Sequence, residues 1–169
     1  VEPFKKKLAE KGIKCSPLKT SHAFHSKMMA PVITQFQREV AQIRLNKPEI
    51  PYISNLTGKW ITVEEAVDPG YWAMHLRKTV RFSEGVAEVL KKETGGIWVE
   101  AGPGNTLGAF VKQHNDESGE NPSIPKIVGL VRHPKEKISD LCHLVTRVGQ
   151  LWLYGKSIDW AAFYNGERR

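Results

Sequence analysis

Two histidines stand three residues apart in Ser21-His22-Ala23-Phe24-His25-Ser26, with an alanine and an aromatic between them. A neutral imidazole accepts a proton near pH 7, which few other unperturbed side chains can do. Spacing alone leaves two readings open, a structural pair or a catalytic base. His75 follows about fifty residues on, and His114, His133 and His143 stand in no partner pattern, as ordinary surface or core histidines. No His, Cys and carboxylate cluster has metal-ligand spacing, so no metal is expected. Cys15 and Cys142 are too few for a disulfide framework or a thiolate metal site, which makes a reducing cytoplasm the default.

The elements that must hold these groups follow from punctuation and periodicity. Glu2-Pro3 opens a helix with proline in its first turn, Phe4 and Leu8 share a face, and Gly12 closes it. Lys5, Lys6, Lys7, Lys11 and Lys14 form a basic patch, read as a solvated face or as a contact for an acidic partner. Residues 13–18 read as a strand, with Pro17 pointing to a sheet edge. After the histidine stretch a helix is expected over 31–45, burying Val32, Ile33, Phe36, Val40 and Ile43. A short strand over 52–55 and a turn at Thr57-Gly58 follow. Thr62-Val63-Glu64-Glu65 has capping-box spacing, Asp68-Pro69-Gly70 reads as a turn, and 71–76 as a short helix. Ser83 is expected to cap a helix that turns Val86, Val89 and Leu90 inward and stops at Gly95-Gly96.

Residues 97–100 then form a strand, and Gly102-Pro103-Gly104 leads into a helix over 105–114 with Leu107, Phe110 and Val111 inward. Such a strand–turn–helix can seat an anion on its helix N-terminus or can simply be a tight connection. It lacks the Gly-Lys-Ser/Thr ending of a phosphate loop. Residues 115–123 read as a polar surface loop, 126–130 as a strand, and 136–154 as a long helix burying Leu141, Leu144, Val145, Val148 and Trp152 before Gly155. The tail gathers Ile158, Trp160, Phe163 and Tyr164 and is too apolar for a free linker, so it should dock on a neighbouring surface.

A length of 169 residues with 40% apolar residues suits one domain with an appendage. The net charge of +7 suits anionic ligands or acidic partners, or a solvated basic surface. Aromatic residues are not interleaved with the basic ones, which argues against nucleic acid. No apolar run approaches the ~18–20 residues of a membrane span, and no signal-peptide pattern opens the chain. Its start at Val1, without Met, suits an excised fragment.

The string SHAFHS with Met28-Met29-Ala30-Pro31 resembles the histidine motif of acyltransferase domains in modular type I polyketide synthases. Further matches come in the family's order: residues 51–58 (PYISNLTG), Tyr71-Trp72 through His75-Leu76-Arg77 to Thr79-Val80-Arg81-Phe82, residues 98–107 (WVEAGPGNTL), and residues 151–155 (LWLYG) with Ile158-Asp159-Trp160 and Phe163-Tyr164. The family's nucleophile motif, Gly-His-Ser-x-Gly, does not occur in these residues. The resemblance therefore covers the C-terminal part of such a domain and the linker behind it. It implies an α/β fold: an incomplete hydrolase-like acyltransferase core with a remnant of a ferredoxin-like small subdomain and a C-terminal linker. Residues 1–20 would end the small subdomain, 21–135 would be the C-terminal part of the core, and 136–169 the last helix and post-acyltransferase linker.

The resemblance also implies a reaction, malonyl transfer from coenzyme A to a serine and on to the phosphopantetheine thiol of an acyl carrier protein. His25 matches the catalytic base, and His75 matches the residue whose backbone carbonyl orients it. A carbonyl is indifferent to the side chain, so His75→Ala need not be severe. His22 and Phe24 match the selectivity positions, where His-Ala-Phe-His goes with malonyl and Tyr-Ala-Ser-His with methylmalonyl substrates. Phe24 would crowd a methyl on the α-carbon, an effect of only ~1–3 kcal/mol, while His22 shapes the loop. No cofactor is expected beyond the coenzyme A thioester substrate and the carrier's phosphopantetheine. The implied partners are malonyl-CoA, the acyl carrier protein, the missing N-terminal half and an adjacent ketosynthase, with no nucleic acid and no membrane. Without the nucleophile half the fragment alone should be inactive. A serine-hydrolase reading lacks an acidic third triad member with a recognisable place. A non-catalytic reading, an interdomain docking fragment of a polyketide or fatty acid synthase, stays open through the aromatic tail.

Overall fold

The computed structural model describes residues 2–15, 20–92, 95–118 and 125–165. The chain divides into two compact units. One joins Val1–Pro48 to Val63–Val80, and the other joins Glu49–Thr62 to Arg81–Arg169.

In the first unit, helix α1 (Glu2–Glu10) ends where Gly12 takes a φ of 72°, a left-handed value that glycine adopts without steric cost. None of its residues is buried. Ile13–Cys15 are not in a strand, and the rest of the strand expected over 13–18 lies outside the described residues. The helix expected over 31–45 starts earlier and ends sooner. Ser26 caps a 3-10 helix (Lys27–Val32) by accepting from the Met28 amide at 3.2 Å, and this runs into α2 (Ile33–Ala41). Gln42 and Ile43 then donate to the carbonyls three residues back, which tightens and closes the end.

Of the apolar stripe expected to be buried along this helix, only Val40 is, at 9% exposure, while Val32, Phe36 and Ile43 stay exposed. Periodicity marks a face that favours cover; within this unit α2 packs chiefly on α4, which covers only part of it. Helix α3 (Val63–Ala66) precedes α4 (Pro69–Arg77). The predicted turn at Asp68-Pro69-Gly70 is instead the start of α4. The Asp68 carboxylate accepts from the amides of Gly70 at 2.8 Å and Tyr71 at 3.1 Å, and Pro69 occupies the first turn, where its missing N–H costs nothing. Trp72 Nε1 donates to the Ala66 carbonyl at 3.0 Å, tying α4 to α3, and Tyr71 and Ala73 are buried.

In the second unit, the strand expected over 52–55 reduces to one antiparallel bridge, Ile53 to Trp60, around a turn held by the fully buried Ser54. Its hydroxyl accepts from the Leu56 and Thr57 amides at 3.2 and 3.1 Å. Helix α5 (Phe82–Lys92) starts one residue before Ser83, so Ser83 is not its cap; its hydroxyl instead lies 2.9 Å from His114 Nδ1. Strands β1 (Ile97–Pro103) and β2 (Lys126–Val131) pair in parallel, Trp98 beside Ile127 and Val99 beside Val128, and α6 (Thr106–Ser118) connects them.

Helix α6 outruns its expected end at residue 114. Asn115, expected in a loop, is helical and buried, and residues 119–123 lie outside the described residues. Val111 is buried as expected, whereas Leu107 and Phe110 are half exposed. Helix α7 (Asp140–Leu153) begins at its Ser139 cap, later than the expected residue 136, because Arg132 holds the intervening turn through the Glu136 carbonyl and the Asp140 carboxylate. Leu141, Leu144, Val145 and Trp152, all expected inside, are exposed; the buried side chain of α7 is His143. In the tail, Asp159 caps α8 (Trp160–Phe163), and the Trp160 ring meets Trp152 edge-on at 6.2 Å.

Candidate functional site

His25 has a φ of 57°, the only left-handed non-glycine among the described residues. That conformation is disfavoured for a residue with a Cβ, so the surroundings must impose it. The His25 amide donates to the Leu76 carbonyl at 3.1 Å. Ser26 locks the other side of the loop, donating its hydroxyl to the Ala23 carbonyl at 2.6 Å while it caps the 3-10 helix.

The backbone so held aims the imidazole at the C-terminal end of α4. His25 Nδ1 lies 3.0 Å from the His75 carbonyl and 3.2 Å from the Lys78 carbonyl. A carbonyl only accepts, so Nδ1 must carry the hydrogen. In the neutral ring Nε2 is then left with a lone pair. A ring placed this way can take a proton at Nε2.

His75 contributes more than its carbonyl to the site. Its ring meets the His25 ring edge-on, with centroids 5.5 Å apart and planes at 75°. Burial, and then the charge of His25, hold the His75 ring below the ordinary histidine value. His22 and Phe24 sit apart from this contact. Their rings lie 6.4 Å from each other on the exposed side of the loop; His22 bonds with the Ser21 hydroxyl at 3.1 Å and Phe24 is 51% exposed.

Sequence reasoning missed the second carbonyl, of Lys78, and the locking role of Ser26. The second had a readable signal, a serine directly ahead of the Lys27–Val32 turn. It also left His143 unassigned. That ring is 6% exposed, with Nε2 at 3.1 Å from the Gly129 carbonyl and Nδ1 at 3.5 Å from the Glu136 carboxylate. The strand–turn–helix of β1 and α6 holds an anion of its own. The Glu100 carboxylate accepts from the Leu107 and Gly108 amides, both at 3.0 Å, so this helix start is a closed connection. Among the described residues no three His, Cys, Asp or Glu side chains converge to hold a metal ion, and no helix is long and apolar enough to cross a membrane.

The sequence profile of the acyl transferase domain matches residues 1–150. The chain belongs to the acyl transferase domain family. Among curated relatives, a phenolphthiocerol/phthiocerol polyketide synthase component of Mycobacterium tuberculosis is 32% identical over 160 residues, 95% of this chain and 10% of that protein. Polyketide synthase GfsA of Streptomyces halstedii is 35% identical over 155 residues, 92% of this chain and 2% of that protein. Among solved structures, the acyl transferase domain of ZmaA superposes with a TM-score of 0.83 at 34% identity, covering 99% of this chain and 37% of that one. The second-module acyltransferase domain of the salinomycin synthase gives 0.82 at 31% identity, covering 98% and 36%. This acyl transferase chain thus spans about a tenth or less of these curated relatives and just over a third of the solved acyl transferase domains. A malonyl CoA-acyl carrier protein transacylase from Clostridium perfringens shares the fold, with a TM-score of 0.66 at 20% identity.

Proposed function

We propose that this chain supplies the base-bearing part of a malonyl-CoA:acyl-carrier-protein acyltransferase in polyketide biosynthesis. The observation that supports this most directly is His25 with Nδ1 on the carbonyls of His75 and Lys78, which leaves Nε2 available as a base. In the first half-reaction Nε2 takes the proton of a serine hydroxyl as that oxygen attacks the malonyl thioester. The C–S bond breaks, and the proton goes to the departing coenzyme A sulfur. In the second half Nε2 takes the proton of the carrier's phosphopantetheine thiol, whose sulfur attacks the serine ester and regenerates the hydroxyl. The serine belongs to a Gly-His-Ser-x-Gly motif that these 169 residues do not contain, so the chain alone is inactive. Coenzyme A enters as a thioester substrate, and no resident cofactor takes part.

In this reading residues 1–20 end a ferredoxin-like small subdomain, 21–135 form the C-terminal part of a hydrolase-like core, and 136–169 the last helix and linker. The remainder of the acyltransferase and a ketosynthase are its neighbours, in the cytoplasm. Phe24 and His22 flank the base and bias the site toward malonyl over methylmalonyl groups by about 1–3 kcal/mol. A second reading, docking by the tail, draws on the exposed Trp152 with Trp160, Phe163 and Tyr164 clustered beside it.

The test uses the full-length polypeptide that carries the chain, as wild type and His25→Ala, incubated with malonyl-CoA and with methylmalonyl-CoA and weighed intact. The expected outcome is rapid malonylation of wild type, slowed about 10²–10⁴-fold in the variant. Equal loading of both proteins would remove His25 from the chemistry.

A further inference from the structure

We infer that the imidazole of His75, and not only its carbonyl, positions the base: His25 is held between the carbonyl end of α4 and the His75 ring, which Tyr71 and Trp72 brace from behind. The inference rests on His25 being the base and adds a residue that works through it.

The carbonyls of His75 and Lys78 fix where Nδ1 points. Bonds made at that one nitrogen do less to stop the ring tilting about it, because acceptor geometry at a carbonyl oxygen is broad. Turning the ring moves Nε2, the atom that must meet the proton. The contact that opposes this rotation is the edge-on packing of His75 against His25, at 5.5 Å and 75°.

His75 is itself well braced. It stacks on Tyr71, one turn earlier on α4, at 6.4 Å and 16° between planes, and meets Trp72 edge-on at 6.3 Å. Tyr71 and Trp72 pack edge-on at 5.2 Å; Tyr71 is buried and Trp72 is pinned to the Ala66 carbonyl. The chain thus continues without a break from the α3–α4 junction through three rings to the base. Electrostatics runs the same way. Burial, and then the neighbouring His25, hold the His75 ring below the ordinary histidine value, which disfavours a second positive charge beside the base. The consequence departs from the expectation that His75→Ala need not be severe.

The experiment compares His75→Ala, His75→Asn and His75→Phe with wild type and His25→Ala in the full-length polypeptide, measuring kcat and KM for malonyl transfer and checking folding by thermal melts. Loss of the ring is expected to lower kcat roughly tenfold, as a misplaced base does, with KM for malonyl-CoA within twofold. His75→Phe, which restores a ring without a proton, is expected to recover kcat to within threefold. His75→Asn carries the test if the alanine variant does not fold. An alanine or asparagine variant within twofold of wild-type kcat would overturn the inference. So would a phenylalanine variant as slow as alanine, because the ring contact would then not be what matters. His25→Ala separates the two levels: if it retains transfer, the base assignment falls, whereas its loss alongside a silent His75→Ala overturns only the positioning role.

Discussion

His25 and His143 both rest a ring nitrogen on a backbone carbonyl, and what surrounds the other nitrogen separates them. His143 is 6% exposed, with Nε2 on Gly129 of β2 and Nδ1 facing the Glu136 carboxylate, so both ring nitrogens face acceptors of its own chain. It joins α7 to β2 as a structural tie. His25 is only part-buried, its Nδ1 faces the end of α4, and its backbone is held at a φ of 57°. Strain at one residue and hydrogen bonds on one side of the ring only are what the proposed role of His25 as a base calls for. A histidine satisfied on both sides stabilises a fold; one satisfied on one side can do chemistry.

Exchanging the two losses is the strongest way to break that contrast. His25→Ala should cost about 10²–10⁴-fold in acyl transfer, with little change in the unfolding midpoint. His143→Ala should do the reverse. It leaves the Gly129 carbonyl and the Glu136 carboxylate without their partner and opens space under α7, a loss of about 2–3 kcal/mol. Transfer per folded molecule should stay within about twofold. Denaturant unfolding alongside the loading assay checks both, and a His143→Ala protein of unchanged stability would show that the tie carries nothing.

The sequence already showed the part of this that depends on residue type and local geometry. Gly12 and Gly155 close helices at positive φ, and β1 and β2 appear at the short apolar runs expected to be strands. The resemblance of SHAFHS picked out His25, and its match at His75 picked out a carbonyl that stands 3.0 Å away. What failed was burial. Periodicity along α2 and α7 marked Phe36, Leu141 and Trp152 as inward, yet each is exposed, because a stripe records a preference for cover and not the presence of a partner. Asp68 was misread because a turn and a capped helix start share Asp-Pro-Gly. The His75 ring contact was out of reach of any local pattern, since it depends on a loop fifty positions away in sequence.

A smaller effect sharpens the comparison at the helix ends. Glu100 caps α6 with two 3.0 Å bonds from backbone amides, where a catalytic anion site would instead have left those amides open. Glu100→Gln keeps one acceptor oxygen and should cost about 0.5–1 kcal/mol, and Glu100→Ala about 1–2 kcal/mol. Neither should change acyl transfer per folded molecule. A Glu100→Ala variant that folds normally but loses transfer would place the α6 start in the chemistry and undo the contrast between the two helix ends.

The smallest effect is a titration. The folded chain binds a proton at His75 only below the ordinary value of 6.5, chiefly because the ring is buried and secondarily because His25 lies beside it. The unfolded chain binds that proton at the ordinary value. Between the two the unfolded state carries more protons, so the stability associated with His75 is fully present above pH 6.5 and is lost as pH falls through the folded value. His75→Phe removes this dependence, since a phenyl ring holds the same place and takes no proton. The gap between the unfolding midpoints of wild type and His75→Phe, measured from neutral to mildly acidic pH, should therefore stay constant above pH 6.5 and change below it, with wild type losing more as pH falls. Parallel curves would mean that the ring meets the same surroundings folded and unfolded. The packing of His75 on Tyr71 and His25 would then be too loose to hold a base in place.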